Sequence, residues 1–366
     1  MVAPITRPQV LSFRARAQQL DRNAVELAQA AVLDIGAQDS GPDGARWALS
    51  NRGVDLPEMC GRALVRVWTI RGAPHLYLRE SLPSVAAAVE PFSDADAGKR
   101  IYDAAKPLKS AGISNLGALN AVAQAMRSVV TRPTTKGEVS THVSALMDPP
   151  YLRFCRACNA THLFEMPFRL AALRAGLELD ADTSPPVLRP VPDFERAAET
   201  SPSHDVVRAY LRLLGPATAK HVADYLDAPV KDVKARWPTD TVQVSVEGEP
   251  RWVLAADADK LTADIVTTTR LLGPFDLFLQ ARDRPMLVDD PARAKALWPV
   301  LGRPGAVLVD GEIAGLWRPR MSGKRLGVRI ALWAKNSASV RAAVAVQAER
   351  LAAYRKVPLS GIDLDG

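Results

Sequence analysis

The chain has 366 residues, 48% of them hydrophobic, which allows several domains with cores of their own and excludes an intrinsically disordered protein. Lysine and arginine outnumber aspartate and glutamate by 47 to 40, a net charge of +7 that favours an anionic partner without saying where it binds. No run approaches the roughly 18 apolar residues of a membrane span, Met1 to Val10 holds no apolar leader segment, and three cysteines are too few and too odd in number for a disulfide framework, so a cytoplasmic, reducing location is expected.

A first unit, residues 1–89, opens with a helix expected over residues 11–20. Asn23 followed by Glu26 has the form of a capping box, and Val25, Ala28, Val32 and Ile35 recur at the spacing of one buried helical face, predicting a second helix that ends near Ala37. Gln38, Asp39, Ser40, Gly41, Pro42, Asp43 and Gly44 then form a polar turn, with Ser40 or Asp43 capping a third helix that runs to Asn51. Val65, Val67 and Thr69 alternate ahead of the bend Arg71-Gly72-Ala73-Pro74, predicting two short strands within residues 63–78. Helices followed by a small hairpin suggest a winged helix.

The second unit, residues 90–180, shows helical periodicity over 116–130 and a short helix over 138–146, then becomes strand-like from Tyr151. Residues 181–202 are rich in proline and polar residues and read as a linker. The third unit, residues 203–262, gives the plainest pattern. Helices over 206–214 and 219–226 and a third starting at Pro229 precede two strands, 243–246 and 251–254, around the turn Glu247-Gly248-Glu249-Pro250. Three helices and a two-stranded wing make a winged helix-turn-helix, whose third helix, here carrying Lys231, Lys234 and Arg236, normally enters the DNA major groove. Residues 263–335 contain short strands flanking the hairpin signal Asp310-Gly311 and suggest a small barrel, and residues 336–366 form a terminal helix and a loose tail.

Two further patterns carry chemistry. Cys155, Cys158 and His162 form Cys-x2-Cys-x3-His, a spacing that suits three ligands of a zinc ion with His142 or Cys60 as the fourth, the alternative being reduced cysteines packed in a hairpin. Arg14 and Arg16, on the first helix, are candidates for contacts to the DNA backbone, against a solvated arginine face. A phosphate loop, a nucleophile elbow and an HExxH motif are all absent.

Three blocks taken together, VLDIGAQDSG at 32–41, VWTIRGAPHL at 67–76, and LLGPFDLFLQARDR with VLVDGEIAGLWRPR in the C-terminal part, resemble the AlkZ-like DNA glycosylases. The resemblance spans most of the chain. It implies an α+β fold of three tandem winged helix-turn-helix domains followed by a small C-terminal β-barrel, acting on duplex DNA, alkylated where it is substrate, as a monomer associated with the nucleoid when bound. The family's catalytic signature is two polar side chains, commonly glutamines, separated by one apolar residue. Here the three positions are Gly36, Ala37 and Gln38, so the second glutamine is matched and the first is replaced. Arg71, Gly72 and His75 match the second block, which makes Arg71 and His75 candidates for holding DNA near the site, while Ala73-Pro74 departs from the family pattern. The implied activity is hydrolysis of the N-glycosidic bond of alkylated purines, with no cofactor required for catalysis and zinc only as a structural metal. The other reading is a non-catalytic DNA-binding protein, a regulator or lesion sensor, because Gly36 removes half of the pair. A glutamine restored at position 36 is expected to fit, since the position reads as helical.

Overall fold

The structure is a computed structural model, and it describes residues 4–41, 43–56, 62–181, 183–334 and 337–365. The fold is mixed α and β, with five small open sheets of two to five strands among the described residues. The N-terminal helix α1 (Arg7–Ala17) has Pro8 in its first turn and a Gln9 side chain that accepts from the Thr6 backbone N–H at 2.9 Å. Val10, Leu11, Phe13 and Ala15 are all buried, so the helix is covered on several sides at once and lies inside one core shared by the first unit, the third unit and the segment 266–313.

The helix expected from Asn23 to Ala37 does not form. Two short 3-10 turns, Leu27–Gln29 and Ala31–Asp34, stand in its place, separated by Ala30 in an extended conformation at ψ 98°. Val25 bridges Val54 across the unit, with its N–H donating to the Gly53 carbonyl at 3.0 Å, and that tertiary pairing takes the backbone group a helix would have used. A turn of three residues still delivers Val32, Leu33 and Ile35 to the core, so the apolar spacing is satisfied without an α-helix. The chain then enters a strand, β1 (Ala37–Gln38), and α2 (Gly44–Asn51) follows as expected. β2 (Leu64–Trp68) and β3 (Pro74–Leu78) form the expected hairpin, and β1 adds to the outer edge of β3.

In the second unit the helices Asn115–Val129 and Lys136–Leu146 lie where their periodicity places them, each with a serine or threonine cap, Ser114 and Thr135. The proline-rich stretch is more than a tether. Val187–Pro190 is the central strand of a three-stranded sheet between Thr134–Thr135 and Leu177–Leu179, and Leu188 is fully buried. Further on, the Ala197 N–H donates to the Pro83 carbonyl at 3.1 Å, and the Ser201 N–H to the Ser84 hydroxyl at 2.9 Å, which ties the same stretch to the first unit.

The third unit follows its pattern closely: helices Val206–Leu214, Ala219–Leu226 and Val230–Ala235, then strands Thr241–Val246 and Glu249–Leu254. The turn is the tight pair Glu247-Gly248, both at positive φ, and Pro250 lies in the second strand opposite Ser245.

The C-terminal part differs from the expected barrel. Its five strands, Thr269–Leu272, Gly305–Val309, Glu312–Ser322, Arg325–Leu332 and Leu359–Asp365, pair in chain order, and the first and last are not joined among the described residues. The last strand comes from the tail expected to be loose; it pairs parallel to Arg325–Leu332. The terminal helix, Ala338–Tyr354, packs Val344, Ala348 and Leu351 on the sheet together with Trp47 of α2 and Trp317.

Two bidentate ion pairs lock the block LLGPFDLFLQARDR to the N-terminal unit. Arg14 meets Asp283 at 3.0 and 2.7 Å, and Arg52 meets Asp276 at 2.8 and 2.9 Å, all four side chains being buried. Leaving any one of these charges without its partner is costly, so the block is specified by the fold as a whole.

Candidate active site

The three-stranded sheet β1-β3-β2 positions the residues of the two N-terminal blocks. In its register Gln38 pairs with His75 and Ala37 with Leu76, and paired residues project to the same face. Position 36 is one strand period from Gln38 on that face. It faces Tyr77: an added Cβ on Gly36 would lie 2.4 Å from the Tyr77 ring carbon Cζ and 2.4 Å from its hydroxyl. Gly36 also has φ +91°, a conformation that side chains with a Cβ rarely adopt. The expectation that a glutamine fits here is therefore overturned, because the site is neither helical nor empty.

Behind the pair lies a buried hydrogen-bonded chain. The Ala73 carbonyl can only accept, so at 2.9 Å it fixes the proton of His75 on Nδ1, and Nε2 keeps the ring's lone pair. The same Nδ1 lies 2.9 Å from the Thr69 hydroxyl, which lies 3.1 Å from the Tyr77 hydroxyl; Tyr77 in turn donates to the Ile35 carbonyl at 3.1 Å. Burial, helped by the nearby Arg71 charge, lowers the His75 pKa to about 3, and burial pushes the Tyr77 phenol well above its ordinary range. Both side chains are neutral at physiological pH. They form a rigid scaffold behind β1 without a mobile charge.

Gln38, paired with His75 across the strands, also has spare hydrogen-bonding capacity. Its amide Nε2 donates to the Ser40 hydroxyl at 3.1 Å, while its carbonyl Oε1 is buried and has no hydrogen-bond partner among the described residues. The neighbouring carboxylates are already engaged. Asp39 accepts from the Ala45 N–H at 3.0 Å at the start of α2 and pairs with Arg66 at 2.8 Å. Asp34 pairs with Arg212 at 2.6 Å, and burial raises its pKa despite that partner. Neither takes the place of a polar group at position 36.

Arg71 and His75 do not present themselves to DNA. His75 is only 1% exposed. Arg71 adopts φ +58° in the hairpin turn, donates to the Tyr225 carbonyl at 2.5 Å and to Gln280 at 3.1 Å, and stacks 4.7 Å from the Tyr225 ring centroid. It fastens the hairpin to the third unit and to the C-terminal block. Arg14 is likewise corrected: it is 0% exposed, with Asp283 and the Gly215 carbonyl as partners, so no phosphate can reach it. Arg16 is half-buried, and Lys231, Lys234 and Arg236 are exposed, with Arg236 stacked 4.7 Å from the Phe92 ring.

A basic cluster that the sequence reading missed lies near Arg71. Arg282, Arg284 and Arg303 make no ion pair among the described residues, and the Arg282 Nε is buried without a partner. Arg284 stacks on Trp298 at 4.9 Å and Arg303 on Phe275 at 5.3 Å. Burial and mutual repulsion lower the pKa values of Arg284 and Arg303, and the Arg282 charge acts in the same direction on Arg71. The signal was available in Arg282-Asp283-Arg284: only the middle residue's acid was needed to balance one arginine, and the structure spends it on Arg14 and Arg251. A cleft of about 770 Å³ opens onto Thr69 between the segment 86–92 and Arg174, and Gln38 does not line it. The chemistry of Gln38 is the better guide, because the Arg174 and Arg100 guanidiniums in that cleft are paired with Glu90 and Asp96.

The AlkZ-like DNA glycosylase model matches residues 14–354. The chain belongs to the AlkZ-like DNA glycosylase family. Among solved structures, Streptomyces sahachiroi DNA glycosylase AlkZ is similar over 99% of this chain and 100% of that one, with a TM-score of 0.74 and 19% identity, a likeness that shows the fold. No curated protein sequence matches the chain. Among the described residues, no helix is long and apolar enough to cross a membrane.

Proposed function

We propose that this AlkZ-like chain is a monofunctional DNA glycosylase that hydrolyses the N-glycosidic bond of alkylated purines in duplex DNA, with Gln38 as its catalytic residue. The observation that carries the reading is the buried, unpartnered Oε1 of Gln38, on an amide held from its other end by Ser40. A purine made cationic by alkylation leaves as a neutral base, so little general acid is needed. What remains is to orient a water and to stabilise an oxocarbenium-like sugar, and a fixed amide dipole kept out of bulk water can share both tasks. The neutral His75 behind it agrees with a site that works without proton transfer from histidine.

In this reading the DNA backbone is held by Arg282, Arg284 and Arg303, with Lys231, Lys234 and Arg236 on the third helix of a winged helix-turn-helix spanning residues 206–254 as a second contact. Catalysis requires no cofactor, and the protein works as a cytoplasmic monomer on the nucleoid. A specific observation also favours a second reading, a DNA-binding protein without activity: Tyr77 fills the space beside Gly36 where the family's first polar side chain would stand. Release of free alkylated base from duplex DNA, compared between the wild type and Gln38→Ala, separates the two readings.

A further inference from the structure

We propose that Cys155, Cys158 and His162 bind one zinc ion that forms the core of an otherwise uncovered hairpin in the second unit. The hairpin consists of Leu152–Cys155 and Ala160–Leu163, which among the described residues pair only with each other. Its base is anchored, since Tyr151, Leu163 and Phe164 are buried and the Leu163 N–H donates to the Ser144 hydroxyl at 2.9 Å. Its tip is not. Phe154 is 61% exposed, and Ala160 and Thr161 are exposed as well. An isolated two-stranded hairpin is marginal in water without a packed face, and a metal is one of the few substitutes for a core at this scale.

The geometry supplies the ligands. Cys155 pairs with Ala160 and Arg153 with His162, so Cys155 and His162 share one face of the hairpin, and Cys158 stands in the turn that closes over it. The three ligand atoms lie within 4.8 Å of one another. Tetrahedral zinc, with Zn–S about 2.3 Å and Zn–N about 2.0 Å, sets ligand separations of roughly 3.5–3.8 Å, within the 4.8 Å that the three ligand atoms span here. A second observation points the same way. His162 donates from Nδ1 to the Leu163 carbonyl at 2.7 Å, which fixes the tautomer and leaves Nε2 as a lone-pair donor, the outer bond that metal-binding histidines normally make. Among the described residues His142 does not join the group, Cys60 falls outside them, and the three ligands leave one position of tetrahedral zinc for a further donor.

The test uses the full-length protein purified under reducing conditions without chelator. Metal analysis should find about one zinc per chain, and Cys155→Ser and His162→Ala should each lose it. Cobalt added to wild-type protein stripped of metal should give a thiolate-to-cobalt charge-transfer band that zinc abolishes. Should the variants fail to fold, thiol labelling of the wild type decides: zinc should protect Cys155 and Cys158, and chelator should expose them. Zinc-free protein whose two thiols label equally with and without zinc, or a Cys155–Cys158 disulfide in the purified protein, would overturn the proposal.

Discussion

Replacing Gly36 with alanine tests the geometry of the candidate site without any assay of activity. Gly36 has φ +91°, and holding an L-residue in a left-handed conformation costs about 1–2 kcal/mol. The new Cβ would stand 2.4 Å from Tyr77 Cζ and 2.8 Å from Cε1, inside the contact distance of carbon atoms. Tyr77 cannot turn aside cheaply, because it is 1% exposed and its hydroxyl is bonded to Thr69 and Ile35. Overpacking of this kind typically adds about 1–3 kcal/mol, giving a total near 2–5 kcal/mol. Gly41 provides the control. It has φ +84° with nothing within 4 Å of its virtual Cβ, so Gly41→Ala should show the backbone cost alone. Urea denaturation of the wild type and both variants, compared at unchanged slope, measures the difference. Adding Tyr77→Leu to Gly36→Ala should recover part of the packing loss but not the backbone cost. If Gly36→Ala is no less stable than Gly41→Ala, the account of Tyr77 closing position 36 is wrong, and restoring a polar side chain there becomes feasible again.

His75 makes the stability depend on pH in a defined window. Its folded pKa of about 3 lies below the ordinary 6.5, so between these values the unfolded chain binds the proton first. Its contribution is complete above about pH 6.5 and falls by about 1.4 kcal/mol per unit as the pH drops towards 3; denaturation at pH 7 and pH 5 should show this slope reduced in His75→Gln. For the basic cluster, duplex binding should weaken as salt rises, and Arg282→Gln and Arg303→Gln should each make the slope of log affinity against log salt shallower by about 0.9 if each neutralises one phosphate. Unchanged affinity and slope in both variants would remove the cluster from the DNA interface.

How far the sequence could be read varied with the source of the structure. The helices Asn115–Val129 and Val206–Leu214 were legible because local periodicity and a cap at the N-terminus agree, and the hairpins at Glu247-Gly248 and Asp310-Gly311 were legible because their turns need residues that tolerate positive φ. Residues 23–37 have a spacing that fits a helix equally well as two 3-10 turns, and the bridge from Val25 to Val54 that decides between them is a tertiary contact. The strands Val187–Pro190 and Leu359–Asp365 lie in stretches that look like linker and tail, and only their distant partners make them strands. At the site, Gln38 and His75 were picked out, but the role of Tyr77 was not, since nothing in the local sequence shows that its ring lies against Gly36. Arg14 and Arg71 read as surface groups in the sequence, because a lone arginine gives no sign of the Asp283 or Tyr225 it meets.

The most direct measurement is the release of free base from duplex DNA carrying a cationic alkylpurine, under single-turnover conditions. The wild type should release base. Gln38→Ala should be slower by about 100-fold or more, the usual effect of losing one preorganised dipole in the transition state, with duplex affinity barely changed. A wild type that binds the duplex and releases no base, or a Gln38→Ala variant as fast as the wild type, would contradict the assignment of Gln38 as the catalytic residue of an alkylpurine glycosylase.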